Sequence, residues 1–363
     1  MPDTTRRLIS YIAPAAPATR RPADGDEPVL RPEIGFTPKW YREAVGIDFG
    51  KRWHTDPACR RETVVAMREE LRRRFPGTRI GGIDRTGGPL DLLTGTYGAC
   101  TVAAIYGIPV VYASDNWPNC EQNYLSDDDI DRLEPPDLDR NSAFRDLMAQ
   151  ADWIAKREGA IVGFINWQGV LNNAYRLRGE RLFLDMVDAP DRCGHLLDCV
   201  CTTMIDAARR LHRRQRQSGF DVDFFTVSNC LVNMISPDQY RERLLPFDRR
   251  IAEEFGCIGV HNCAWNADPY VDAYATLPNV AYVDMGLDSD LVRAREMFPN
   301  ARRAIMYTPM DLARRPLEEI RSDLERIARE YAPCDIVAAD IEAGTPDRRV
   351  MDFLGLCDRI SNL

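Results

Sequence analysis

His261 and Cys263 carry the clearest chemistry in the chain. They close an apolar stretch, Cys257 to Val260, that reads as a buried strand. Side chains at i and i+2 of a strand point the same way, so the imidazole and the thiol project together from its C-terminal end. Both are zinc-type ligands, the thiolate being the softer of the two. A catalytic zinc site takes three protein ligands and keeps a fourth position open. Candidates for the third are Asp340, Glu342, Asp284 and Cys334. Cys334 stands at the entry of its strand, away from His261, so Asp340 is the first choice and Glu342 the second. A His-Cys-Asp set is harder than His-Cys-Cys and leaves the metal more Lewis acidic, which keeps other divalent ions, iron included, in view.

The elements that must position these groups repeat. From residue 140 onward, short apolar strands alternate with amphipathic helices, the strands falling at 159–165, 223–227, 257–260, 279–283, 303–307 and 335–339. Six such units point to a parallel sheet. No strand runs into a Gly-x-Gly-x-x-Gly turn, so a dinucleotide fold has no support. The earlier region is harder to type, with strands expected at 79–83 and 108–113 and a helix over 90–107. One or two strands from it bring the count near eight, and a single (β/α)8 TIM-type barrel over residues 34–363 fits best. Residues 1–33, rich in Pro, Ala and Arg without periodicity, read as a flexible N-terminal arm.

In such a barrel the active site lies at the C-terminal strand ends. Those ends carry Asn166 and Gln168, Ser228 and Asn229, His261 and Cys263, Asp284, Tyr307, and Asp340 with Glu342. The converging ring implies an enzyme pocket for a small molecule. Asn229, Asp284, Tyr307 and Glu342 are the catalytic candidates; Asn166, Gln168, Arg42 and Asp84 are the substrate-binding ones.

Bulk composition excludes several classes. The net charge of −9 argues against nucleic acid or an anionic membrane as partner. No apolar run approaches the roughly 20 residues that span a bilayer, and the N-terminus lacks a signal-peptide core, so a cytoplasmic location is expected. Eleven scattered cysteines then mean reduced thiols, some available as ligands. Lysine occurs only at positions 39, 51 and 156, none at a strand end, which disfavours Schiff-base chemistry. The oligomeric state is open, a homodimer included.

Three stretches carry a family resemblance. The run from Asn229 to Tyr240 (NCLVNMISPDQY) with Leu245-Pro-Phe247, the His-x-Cys strand followed by Gly344-Thr-Pro346, and Tyr106-Gly-Ile-Pro-Val110 through Leu133-Glu-Pro-Pro-Asp137 together resemble the uroporphyrinogen decarboxylase superfamily. The resemblance implies a (β/α)8 barrel with its cleft at the C-terminal strand ends. The decarboxylase branch is metal-independent and holds substrate carboxylates with an N-terminal Arg-Gln-Ala-Gly-Arg element. Here Thr37 to Ala44 keeps the proline and Arg42 but lacks that element. The corrinoid-linked methyltransferase branch (methylcobalamin:coenzyme M type) carries zinc on His-x-Cys plus a later cysteine. His261 and Cys263 match, while Ala339-Asp340 stands where that cysteine falls, so Asp340 is the substitute the resemblance implies. It therefore implies a zinc-dependent methyltransferase activating a thiol or similar nucleophile, with a corrinoid on a partner protein as methyl donor. The alternatives are a metal-independent decarboxylase or lyase using Arg42, Arg85 and Asp84 on an acidic small molecule, and a non-catalytic barrel subunit of a corrinoid system.

Overall fold

The computed structural model describes residues 10–12, 25, 29–78, 80, 88–222 and 225–362. The described strands are β1 (Ser10–Ile12), β2 (Leu30–Phe36), β3 (Val110–Val111), β4 (Asn119–Cys120), β5 (Phe225–Ser228), β6 (Ile258–His261), β7 (Val280–Met285), β8 (Arg302–Met306) and β9 (Cys334–Ile341). Seven of them form a parallel sheet in the order β1-β2-β9-β8-β7-β6-β5. Helices Leu245–Phe255, Asp268–Ala275, Leu291–Met297, Leu317–Glu330 and Asp347–Ser361 alternate with the later strands, giving the α/β architecture of a TIM-type barrel.

Alternation along the strands sorts the core into two layers. Ile258, Val260, Val283, Ile305, Ile336 and Ala338 join the main cluster under the helices. Tyr282, Ala304, Val337 and Ala339 form a separate cluster on the inner side, with Met306 and Trp117 packed against it. Such layered filling makes a barrel interior a packed core rather than a pore. β5 and β6 pack so closely that a Cβ at Gly259 would sit 2.5 Å from Thr226 Oγ1.

The lower part is ionic. Asp335 accepts from Arg31 Nη2 and Arg302 Nε, each at 2.7 Å, and Arg302 Nη2 reaches Glu33 Oε1 at 3.0 Å. All four side chains are buried. The cluster fastens β2 to β8 and β9, so an N-terminal segment closes onto the last strand. Of the expected arm, residues 30–33 belong to the sheet and Ser10–Ile12 adds a strand beside them, while most of the rest lies outside the described residues.

Other boundaries also differ. Residues 108–113 supply only β3, which pairs antiparallel with β4 as a separate hairpin. The 90–107 helix shrinks to Thr101–Ile105. Residues 159–165 form no regular strand with any of the described residues. Gly163, at φ +118°, lies so close to Asp91 that a Cβ would fall 2.1 Å from Oδ1, and Phe164 N donates to Thr94 Oγ1 at 3.0 Å. Contacts with the 91–94 turn thus help to hold this stretch. The strand expected at 79–83 falls almost entirely outside the described residues.

Candidate metal centre at the mouth of the barrel

β5 and β6 pair with Ser228 opposite His261, and Asn229 N donates to the His261 carbonyl at 2.7 Å. Cys230 and Cys263 each follow their strand-end residue by two positions, so the register brings them together. Their sulfurs lie 2.9 Å apart, and Cys263 Sγ lies 3.2 Å from His261 Nε2. One ligand atom from each of Cys230, His261 and Cys263 falls within 4.8 Å of the others. Asp340 is not in the group. It projects from β9, which lies across the mouth beyond β7 and β8. Among the described residues, the group that could hold a metal is therefore His-Cys-Cys, with Cys230 rather than the expected Asp340 beside His261 and Cys263.

Asp284 sets the orientation of the imidazole. Its Oδ2 lies 2.6 Å from His261 Nδ1 and accepts from Tyr282 OH at 2.6 Å, while Oδ1 accepts from Asn262 N at 2.7 Å. A hydrogen bond at Nδ1 leaves Nε2 to face the sulfurs, as ligating histidines require. Burial disfavours a charged His261, but Asp284 and then Cys230 outweigh it and raise its pKa to about 10. The Cys263 thiol, hydrogen-bonded to Cys230, holds the Cys230 thiol well below its ordinary range against the cost of burial, while Cys263 itself is pushed up. Two thiols and an imidazole with one partner fixed are the donor set of a zinc site. The residues fit the metal. Asp284→Asn should keep the fold but weaken zinc binding about 10–100-fold, measured by competition with a chromophoric chelator; unchanged affinity would show that Asp284 does not orient the ligand.

The three donors open onto a cavity of about 260 Å³. Asn166, Gln168, Tyr307 and Asp340 also line it, with apolar Ala264, Met306, Pro309 and Ala339. Ser228 lines it too, and its buried Oγ has no hydrogen-bond partner among the described residues. Gln168 (φ +60°), Cys263 (+56°) and Asp340 (+57°) all adopt the left-handed conformation. Such a conformation costs energy in non-glycine residues and clusters at working sites. Asp340 is exposed at the cavity rim, where partial loss of solvation, then repulsion from Glu342, push its carboxyl up to about 6.

The remaining expected residues are placed as follows. Gln168 donates to Asn166 Oδ1 and accepts from Asn172, whose Oδ1 takes Leu231 N. This chain of amides tethers the turn that presents Cys230. Asn229 is buried beside the cavity with its amide on Asp248 at 2.9 Å, so it shapes the Cys230 turn without lining the cavity. Tyr307 presents its ring, its hydroxyl donating to Asp323. Glu342 and Arg42 are exposed and outside the lining. Asp84 and Arg85 lie outside the described residues. Cys230 was the residue missed. The legible signal was its position two past a strand end, as with Cys263, but only the pairing of β5 with β6 makes the two adjacent.

Comparison with known proteins agrees with this architecture. No curated protein sequence matches the chain. A methyltransferase from Methanosarcina mazei has the same fold, with a TM-score of 0.61 at 15% identity, over 92% of this chain and 94% of that one. Residues 79–333 match the family model for uroporphyrinogen decarboxylase (URO-D). With most of its length matched and its barrel in place, the chain belongs to the uroporphyrinogen decarboxylase family.

Proposed function

We propose that the protein is a zinc-dependent methyltransferase that moves a methyl group from a corrinoid, carried on a partner protein, to a small thiol or similar nucleophile. The observation that supports this most is the convergence of Cys230, His261 and Cys263 at the mouth of the cavity. The methyltransferase with the same fold points the same way.

A free thiol, with a pKa near 8.5, is mostly protonated at neutral pH; zinc, when bound, supplies the charge that makes a coordinated thiol a nucleophile. The chain's own residues do the rest. Asp284 keeps Nε2 of His261 turned to the sulfurs. Ser228 Oγ, buried at the cavity wall with no partner among the described residues, offers the substrate a hydrogen bond. Met306, Ala339 and Pro309 exclude water from the methyl group's path. Asp340, with its raised pKa, is placed to take up or return the proton the nucleophile loses. Arg42, exposed on helix Pro38–Val45, does not line the cavity, which weighs against the acidic-substrate alternative.

The test is direct. Zinc-loaded protein, methylcobalamin and a panel of small thiols should give loss of the methyl–cobalt absorbance, and chelator should stop it. Decarboxylation of an acidic substrate at equal rates with and without chelator would contradict the proposal. Ser228→Ala should raise KM for the accepted thiol about fivefold, the effect of roughly 1 kcal/mol from one hydrogen bond, with zinc content unchanged.

A further inference from the structure

Each cysteine of the metal centre follows a buried asparagine, and the two asparagines are braced alike. Asn262, before Cys263, accepts from Tyr274 OH on its Oδ1 at 2.8 Å and donates through Nδ2 to the Asp284 carbonyl at 2.7 Å. Asn229, before Cys230, donates through Nδ2 to Asp248 Oδ2 at 2.9 Å, and the same oxygen accepts from Tyr240 OH at 2.7 Å. The Tyr240 and Tyr274 rings meet edge to face, their centroids 5.2 Å apart. One buried tyrosine pair thus stands behind both cysteine turns.

Bringing Tyr240 to Asp248 takes an irregular helix. They are 8 positions apart, which at about 100° per residue leaves side chains about 80° apart around an α-helix. The helical run from Pro237 to Phe255 instead widens into a π turn over Tyr240–Leu244, where Leu245 N donates to Tyr240 O. Pro246 favours the widening, since it has no N–H to offer the Glu242 carbonyl. The one extra residue of a π turn brings the two side chains to within about 20° of each other. The hydroxyl and the carboxylate therefore meet behind Asn229. Such turns recur at functional sites.

We propose that Tyr240 and Asp248 are positioning residues for Cys230. They fix the Asn229 amide, and through it the turn that carries the Cys230 sulfur to Cys263 and His261. The proposal rests on the reading of that group as a metal centre, and it gives Cys230 the outer support that Asp284 gives His261.

The full chain is titrated with cobalt(II) in place of zinc, and the thiolate-to-cobalt charge-transfer band reads the sulfur ligands. Asp248→Ala should lower cobalt affinity about 10–100-fold and weaken the band at saturation, as Cys230 leaves the ion. Asp248→Asn, which keeps an oxygen acceptor for Tyr240 and Asn229, should restore both. Tyr240→Phe removes only a hydroxyl and should shift affinity and band in the same direction as Asp248→Ala; it decides the matter if circular dichroism shows Asp248→Ala unfolded. Wild-type affinity and band in either folded variant would overturn the proposal, as would lower affinity with an undiminished band, the sign of general loosening. A full band in the wild type without methyl transfer would count against the proposed function alone and leave the positioning role standing. No band in the wild type would overturn both.

Discussion

Cys230→Ala should reduce zinc from one ion per chain to near zero and abolish methyl transfer, while Asp340→Ala retains the ion. The two variants separate the sets that sequence and structure favour. Cys230 Sγ lies 2.9 Å from Cys263 Sγ, and removing it leaves one thiol and one imidazole, too few for a zinc site. Loss of a mere outer partner of a ligand weakens metal binding about 10–100-fold, so loss of the ligand itself should exceed about 100-fold. Asp340 lines the cavity without joining the donor cluster, so its alanine variant should lose turnover rather than metal. Plasma emission analysis of dialysed protein reads both. Full zinc in Cys230→Ala, or its loss in Asp340→Ala, would restore the carboxylate as third ligand.

The second large effect lies at the other end of the barrel. Asp335→Ala should destabilise the fold by about 3–5 kcal/mol, the usual cost of breaking a buried ion pair and leaving charge uncompensated. Here two guanidinium groups, Arg31 and Arg302, converge on one buried carboxylate, and Glu33 would be left to face both. The cluster links β2 to β8 and β9, so its failure loosens the seam between the N-terminal strand and the last one. Urea unfolding followed by far-ultraviolet circular dichroism measures the loss. A change below about 1 kcal/mol would mean that solvent or rearranged neighbours rescue the arginines.

Much of the barrel's second half could be read from residues 223 onward. There each apolar run is bounded by turn residues, and the strands fall within a residue or two of Phe225–Ser228, Ile258–His261, Val280–Met285, Arg302–Met306 and Cys334–Ile341. β2 was harder to see. Its sequence, Leu-Arg-Pro-Glu-Ile-Gly-Phe, alternates charge with apolar groups and contains a proline, as an exposed edge would. The charges are instead buried against Asp335 and Arg302, a pairing across some 270 to 300 positions that local pattern does not reveal. Residues 159–165 failed in the opposite sense. Their apolar run has the look of a strand, yet no described strand pairs with it, and contacts with the 91–94 turn help to hold it.

The candidate site was legible to the same depth. His261 ends β6 and Cys263 stands two positions on, in the turn that follows, so their closeness in sequence made the pair legible although the strand period does not reach Cys263. The third donor depends on which strands are neighbours. Asp340 was favoured because strand ends alone do not say which lie side by side, and the β5–β6 register gives the place to Cys230. Asp284 was expected to act on substrate, but its position on β7, beside β6, turns it toward the back of His261.

Zinc K-edge X-ray absorption of the loaded protein tests the metal centre most directly. Coordination by Cys230, His261 and Cys263 gives two sulfur scatterers at about 2.3 Å and one nitrogen at about 2.0–2.1 Å, with one sulfur lost in Cys230→Ala. A first shell of oxygen and nitrogen alone, or a single sulfur in the wild type, would contradict it.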